Sequence, residues 1–135
     1  MNEIRSAPAL DDAVLLVDGD IVSRHAIAGY LRHCGYRVVE AFDTNEAMKA
    51  LGYPSLVIDV IVCDVGAGGD MSGFELACWV RRHRPGIEVR LAASPQGAAR
   101  TAAGLCEVGP HLHRPYEPQS VADEIRSLRA ARDRA

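Results

Sequence analysis

Two aspartates in this chain directly follow short apolar runs, which is a pattern that can place carboxylates for chemistry. Asp64 closes the apolar run 60–63 and is followed by a glycine-rich stretch, and Asp18 closes the apolar run 13–17 two residues before Asp20. Short runs of β-branched and small apolar residues are typical of buried parallel strands. Ligands of open α/β sheets bind outside the carboxyl ends of the strands, so we expect these carboxylates to share one acidic pocket. The natural occupant of such a pocket is a divalent cation.

The size and composition of the chain predict one globular domain. The chain has 135 residues, of which 48% are hydrophobic and 24% charged, with a formal net charge of −3. We predict a single domain over residues 11–132 and a flexible segment over residues 1–10. The arginine groups at 81–84 and 126–134 lack interleaved aromatic residues and are interpreted as solvated helix ends, so we expect no nucleic-acid partner. No apolar stretch approaches the length of a membrane span, so we expect no membrane partner.

The four cysteines suggest neither a metal site nor a disulfide framework. They lie far apart in the sequence and form no C-x-x-C pair: Cys34, Cys63, Cys78 and Cys106. We therefore interpret them as small buried hydrophobic residues and predict a reducing, cytoplasmic location.

Strand-like and helix-like segments alternate along the chain. Five such β-α repeats with short connections predict a parallel sheet covered by helices on both faces. The fourth helical segment, 96–106, is rich in alanine and contains two glycines, so we expect it to be loosely held. The predicted strands cover 13–17, 36–40, 60–64, 87–92 and 111–113. The predicted helices cover 21–33, a segment capped by Asp43 or Thr44 and ending at Gly52, 72–84, 96–106 and a segment from 117 onward.

Four motifs in this order resemble the receiver (CheY-like) domain of bacterial two-component response regulators. They are the acidic turn at 14–20, the strand end at 62–65, the helix start at 71–76 and the segment 114–118. The resemblance spans almost the whole chain. It implies a flavodoxin-like (βα)5 doubly wound parallel sheet with strand order 2-1-3-4-5.

The resemblance also implies a phosphoryl-transfer switch in which Asp64 is the phosphoacceptor. Mg²⁺ would be held by Asp18, Asp20, Asp64 and the backbone carbonyl of Gly66, because oxygen ligands suit this ion. Arg114 stands where the family usually has a lysine and would contact the phosphoryl group. The chain would then be a phosphoacceptor with slow self-dephosphorylation at most, and not an enzyme.

Besides Arg114, the chain departs from the family pattern at three further positions. Gly19 stands where the family usually has its second acid, so we predict weak Mg²⁺ binding unless Asp20, one residue later, reaches the ion. Ala93 replaces the usual switch hydroxyl, for which the adjacent Ser94 can substitute only if the strand has already ended. His111 takes the place of the usual aromatic switch residue.

The loop 66–70 is one residue longer than the family pattern. Its small residues suggest a flexible rim of the pocket. Asp70 in this loop is interpreted as a turn former, with an added carboxylate ligand as the alternative.

Three functions remain open on the sequence. The first is a single-domain receiver that accepts a phosphoryl group from a histidine kinase or phosphotransfer protein and signals to an output protein. The second is a degenerate receiver that acts as a phosphorylation-independent interaction module. The third is a phosphatase resembling haloacid dehalogenases, with Asp18 and Asp20 as its D-x-D motif. We expect the output surface, and any homodimer contact, on the fourth helix, the fifth strand and the fifth helix.

Overall fold

The computed structural model describes residues 13–108 and 118–134, and within them four strands form one parallel sheet. The strand order is β2-β1-β3-β4, and every neighbouring pair is parallel, as the sequence predicts. The predicted fifth strand at 111–113, with His111, lies outside the described residues, as does Arg114. The strands are β1 (Ala13–Val17), β2 (Arg37–Ala41), β3 (Val60–Asp64) and β4 (Glu88–Ala92).

Five helices accompany the strands, and three of them begin at side chains that cap the first turn. Asp20, Asp43 and Ser72 each accept a hydrogen bond from the backbone N–H three residues later, and Ser72 forms a reciprocal capping box with Glu75. None of the described helices is long and apolar enough to cross a membrane. The helices are α1 (Ile21–His33), α2 (Thr44–Leu51), α3 (Gly73–His83), α4 (Pro95–Val108) and α5 (Pro118–Arg134).

The sheet separates two hydrophobic clusters, which explains why its central strands are apolar throughout. All five residues of β1 are buried, and their side chains alternate between the two faces. On one face the core side chains of α1, α4 and α5 include Ile27, Leu105 and Ile125. On the other face those of α2 and α3 include Leu51 and Leu76. This doubly covered sheet confirms the predicted α/β architecture.

The prediction that all cysteines are unpaired is wrong. Cys34, just after α1, and Cys106, in α4, form a disulfide with a Cα–Cα distance of 5.6 Å, and both residues are fully buried. The two residues are 72 positions apart, so their pairing follows from the packing of α1 beside α4 and not from any local motif. Cysteine usage therefore gives no support for a reducing compartment.

Helix α4 has more anchors than its composition suggested. The disulfide joins it to the end of α1, and the Tyr36 hydroxyl donates a 2.6 Å hydrogen bond to the carbonyl of Leu105. Its alanines at 99 and 102 are fully buried, because small side chains allow the helix to lie close to the sheet. These contacts hold α4 more firmly than its alanine and glycine content predicted.

Candidate functional site

An acidic pocket lies at the carboxyl ends of β1 and β3, where the sequence predicts it. The cavity has a volume of about 390 Å³. It brings together the three predicted aspartates with other residues from the same edge of the sheet. The predicted site residues that line it are Asp18, Asp20, Asp64, Gly66, Ala93 and Ser94.

Backbone hydrogen bonds fix the two strand ends that carry Asp18 and Asp64. The N–H of Asp18 donates to the carbonyl of Ala41 on β2 at 3.0 Å. Arg24 Nη1 donates to the carbonyl of Asp18 at 2.9 Å. The residue after Asp64 donates its N–H to the carbonyl of Ala92 on β4, also at 2.9 Å. Both carboxylates are therefore presented from rigid strand ends at the same edge of the sheet.

The carboxyl groups of Asp18 and Asp64 are both harder to ionise than an exposed aspartate. Burial raises the pKa of Asp18 above its ordinary value of 3.8, and the charge of Asp64 raises it further, against a hydrogen bond from the Asp20 N–H. Burial also raises the pKa of Asp64, against a hydrogen bond from the Gly66 N–H. Beneath them, burial and the same two charges raise the pKa of the Cys63 thiol to about 12. The pocket thus concentrates negative charge that a cation would relieve.

Asp20 lines the acidic pocket but also has partners that compete with its predicted role as a metal ligand. Its Oδ2 accepts the Ser23 N–H at 3.0 Å as the N-cap of α1. Both carboxylate oxygens also pair with arginines of α5: Arg129 Nε lies 3.1 Å from Oδ2, and Arg132 Nη1 lies 2.7 Å from Oδ1. Although burial acts to raise the pKa of Asp20, the bonds from Arg132 and Ser23 and the charge of Arg129 hold it below its usual value.

Among the described residues, Arg129 is a cation of the pocket that sequence analysis missed. It lines the cavity with Asp18 and Asp64, and its positive charge lowers the pKa of both carboxyls. The sequence interpretation assigned it to a solvated helix end. An i, i+3 arginine pair, at 129 and 132, was the available signal, but the pair gains its partner Asp20 only because α5 packs against α1. Arg114, the predicted phosphate contact, lies outside the described residues.

The predicted metal ligands all line the acidic pocket. Asp18, Asp64 and the Gly66 carbonyl suit Mg²⁺ chemically, because all are oxygen donors. Gly66 keeps the space beside Asp64 open, since a Cβ there would lie 3.3 Å from Oδ2. Within the described residues no group of three acidic, histidine or cysteine side chains is arranged to hold a metal ion. The oxygen donors of the pocket therefore fit Mg²⁺, and Asp20 is the one whose carboxylate has arginine partners.

Ser94 meets the condition under which it could replace the hydroxyl that Ala93 lacks. Strand β4 ends at Ala92, and Ser94 lies in the bend that follows. Its Oγ accepts the Gly97 N–H at 3.0 Å in the first turn of α4 and also lines the pocket. Accepting this bond leaves the hydroxyl hydrogen free to donate, since a serine hydroxyl is both donor and acceptor.

The loop 66–70 is tied to the start of α2. The buried Thr44 donates its N–H and its hydroxyl to the Gly68 carbonyl at 3.0 Å, and the hydroxyl also lies 2.8 Å from the Met71 carbonyl. Asp70 is exposed and is not among the residues that line the acidic pocket. Its N–H donates a hydrogen bond to Asn45 Oδ1. These contacts favour the turn-former interpretation of Asp70 and give the loop fixed partners.

Comparison with known proteins identifies the family. The family described as response regulator receiver domain matches residues 14–126. A curated relative, the two-component response regulator-like protein APRR7 of Arabidopsis thaliana, is 35% identical over 71 residues, which cover 53% of this chain and 10% of that protein. The chain thus spans about a tenth of the curated relative it matches. Because the family match covers most of the chain, this protein belongs to the response regulator receiver domain family.

Solved structures of receiver domains share the fold. CheY4 of Vibrio cholerae aligns with a TM-score of 0.56 and 24% identity over 87% of this chain and 98% of that chain. The RcsB receiver domain of Salmonella enterica, solved with a phosphomimetic, aligns with a TM-score of 0.59 and 18% identity over 84% and 98% of the two chains. A receiver domain of Clostridium thermocellum aligns with a TM-score of 0.57 and 18% identity over 90% of this chain and 97% of that chain. At these identities the likeness supports the fold alone.

Family membership carries a general function. Receiver domains are generally phosphoacceptors of two-component systems, and they interact with histidine kinases or phosphotransfer proteins and with output partners. They generally bind Mg²⁺ at the phosphorylation site.

Proposed function

We propose that this protein is a receiver whose phosphoacceptor is Asp64. One observation carries the proposal: Asp64 ends the central strand β3 with its carboxylate in the acidic pocket, beside Asp18 and the Gly66 N–H. A carboxylate oxygen of Asp64 would attack the phosphorus of a phosphohistidine. The new oxygen–phosphorus bond forms as the nitrogen–phosphorus bond breaks, and the imidazole of the donor protein leaves with that electron pair.

The chemistry requires positive charge because the nucleophile and the phosphoryl group are both anionic. Mg²⁺, when bound, would neutralise charge on the phosphoryl oxygens. In this proposal Asp18, Asp64 and the Gly66 carbonyl hold the ion, with weak affinity because Asp20 is engaged elsewhere. Arg114 contacts the phosphoryl group, and Ser94 supplies the hydroxyl that the family usually has at the position of Ala93.

In this proposal the receiver both obtains its phosphoryl group from a protein and signals by binding another protein. It accepts the phosphoryl group from a histidine kinase or phosphotransfer protein and passes the signal to an output protein. We place the output surface, and any homodimer contact, on α4, the segment 111–113 and α5. Helix α4 begins at Ser94 and Pro95 on the rim of the pocket, which supports a link between phosphorylation and this surface.

A degenerate receiver is the second candidate. The observation that favours it is the engagement of Asp20 by the α1 cap and by Arg132, together with the absence of a hydroxyl at Ala93. Such a protein would bind its partner equally well with or without a phosphodonor. Family membership leaves no observation that favours the haloacid-dehalogenase-like alternative with Asp18 and Asp20.

Intact-mass measurement after treatment with acetyl phosphate and Mg²⁺ separates these candidates. The wild type should gain the mass of one phosphoryl group, and this gain should be lost in alkali, as expected for an acyl phosphate. Asp64→Asn should gain none, whereas the matched control Asp70→Asn, on the exposed loop, should behave as the wild type. A mass gain that persists in Asp64→Asn would refute the assignment, and no gain in the wild type would favour the degenerate receiver.

A further inference from the structure

Arg129 reaches the acidic pocket from a helix that the sequence analysis did not connect to it. Its Nε lies 3.1 Å from Asp20 Oδ2, and its side chain lines the same cavity as Asp18 and Asp64. The Asp20 side chain is only 17% exposed, whereas that of Arg129 is 38% exposed. The pairing is therefore partly shielded from solvent, and the charge of Arg129 acts on a site that a divalent cation would also enter.

Two arginines of α5 also pair with the carboxylate of Asp20. Asp20 Oδ1 accepts a hydrogen bond from Arg132 Nη1 at 2.7 Å, whereas Oδ2 accepts the Ser23 N–H and forms an ion pair with Arg129 Nε. A metal ion entering beside Asp18 and Asp64 would meet the Arg129 guanidinium and would compete with both arginines for Asp20. Like charges in a partly buried site repel more strongly than in water.

We propose that Arg129 is an internal counterion that competes with Mg²⁺ for the acidic pocket, with Arg132 securing Asp20 in the arginine-bound arrangement. In this arrangement the last helix of the domain regulates metal entry, and metal binding releases the Arg129 guanidinium from Asp20. The inference rests on the magnesium site of the proposed function, but it does not depend on phosphorylation of Asp64.

The chain supplies matched variants for a test. Arg129→Gln removes the charge, and Arg129→Lys keeps it on a different side chain. Arg126→Gln is the control, because Arg126 lies one turn earlier on α5, pairs with the exposed Asp123 at 2.7 Å and does not line the acidic pocket. Mg²⁺ titrations of the unphosphorylated proteins, followed by the amide shifts of Asp18 and Gly66, give the dissociation constants.

The competition predicts a graded result. Arg129→Gln should bind Mg²⁺ about tenfold more tightly than the wild type, within the usual range of coupling between two linked sites. Arg126→Gln should match the wild type, and Arg129→Lys should fall closer to the wild type than to Arg129→Gln. An unchanged or weakened affinity in Arg129→Gln overturns the proposal. A lysine variant that binds as tightly as the glutamine variant overturns its charge argument.

The effect of Mg²⁺ on the contact between Arg129 and Asp20 provides a second measurement. This measurement would not change if Arg129 had only a structural role. If the two cations exclude each other, saturating Mg²⁺ must weaken the bond from Arg129 Nε to Asp20 by the same factor. The side-chain Nε–H signal of Arg129 should then shift and exchange faster with solvent as Mg²⁺ is added. A signal that stays constant at saturation contradicts the proposal. Both measurements are made without a phosphodonor. Their outcome therefore does not depend on whether acetyl phosphate phosphorylates the protein.

Discussion

Breaking the Cys34–Cys106 disulfide should lower the stability of this domain substantially. The bond closes a loop between residues 72 positions apart, and both cysteines are fully buried in the core cluster of α1, α4 and α5. In the chain-entropy treatment, closing a loop of this length removes about 15 cal/mol/K from the unfolded chain, which amounts to about 4 kcal/mol at 25 °C. Reduction restores that freedom to the unfolded state and so shifts the equilibrium toward it.

The corresponding change in thermal stability is large enough to measure easily. Unfolding entropies near 2.1 cal/mol/K per residue give a chain of 135 residues about 280 cal/mol/K, so a loss of about 4 kcal/mol lowers Tm by about 15 °C. Thermal unfolding should be recorded with and without a thiol reductant. The control is Cys34→Ala/Cys106→Ala, which should unfold near the temperature of the reduced wild type and should not respond to reductant.

Thiol titration in denaturant tests the covalent assignment itself. Cys63 and Cys78 are the free cysteines among the described residues, so two of the four cysteines should react before reduction and all four afterwards. Four reactive thiols in the unreduced protein would refute the disulfide. A Tm that reductant leaves unchanged, in a protein with only two reactive thiols, would refute the entropic argument for its effect.

Two further predictions concern the pocket and its loop. Asp18→Asn should raise the free energy of unfolding at neutral pH: burial raises the pKa of the native carboxyl above 3.8, so wild-type stability falls as pH rises through that raised pKa. Urea unfolding should show no such gain well below pH 3.8, where the wild-type carboxyl is protonated in both states, and an equal gain at both pH values would contradict this reasoning. Gly69→Ala should cost about 1 to 3 kcal/mol, because Gly69 has a φ of 107° and a Cβ there would overlap the Thr44 hydroxyl. The control Gly68→Ala meets no atom within 4 Å and should change stability little, so similar losses in both variants would refute the local explanation.

The strands and helix starts could be predicted because local sequence determines them. The apolar run before Asp18 is buried on both faces, and Ser72 with Glu75 carries a complete capping box. Three strand boundaries differ by one residue from the predicted ones: both ends of β2 and the start of β4. At the start of β2, Tyr36 follows Gly35, which has a φ of 102°, and the Tyr36 hydroxyl bonds to α4, so the ladder begins only at Arg37.

The disulfide and the role of Arg129 could not be predicted because both depend on packing between distant elements. Cys34 and Cys106 meet only because α1 and α4 cover the same face of the sheet. Arg129 reaches Asp20 only because α5 packs against α1 and α4 on that same face. A single sequence contains the residue types in both cases, but not the relative positions of the helices.

Asp20 depends both on local sequence, as the cap of α1, and on the packing of α5 against α1. The family usually has its second acid at the position of Gly19, whereas the acid of this chain is Asp20, one residue later. Asp20 directly precedes α1, where a side chain is needed to accept hydrogen bonds from the free N–H groups of the first turn. Once Ser23 holds Asp20 in that position, its remaining acceptor capacity faces α5, and the two arginines occupy it. Arg129 of that pair also lines the pocket of Asp18 and Asp64. Under the proposed function, a metal ion entering this pocket must act against a cation that the protein itself supplies, because two positive charges repel in a partly buried site.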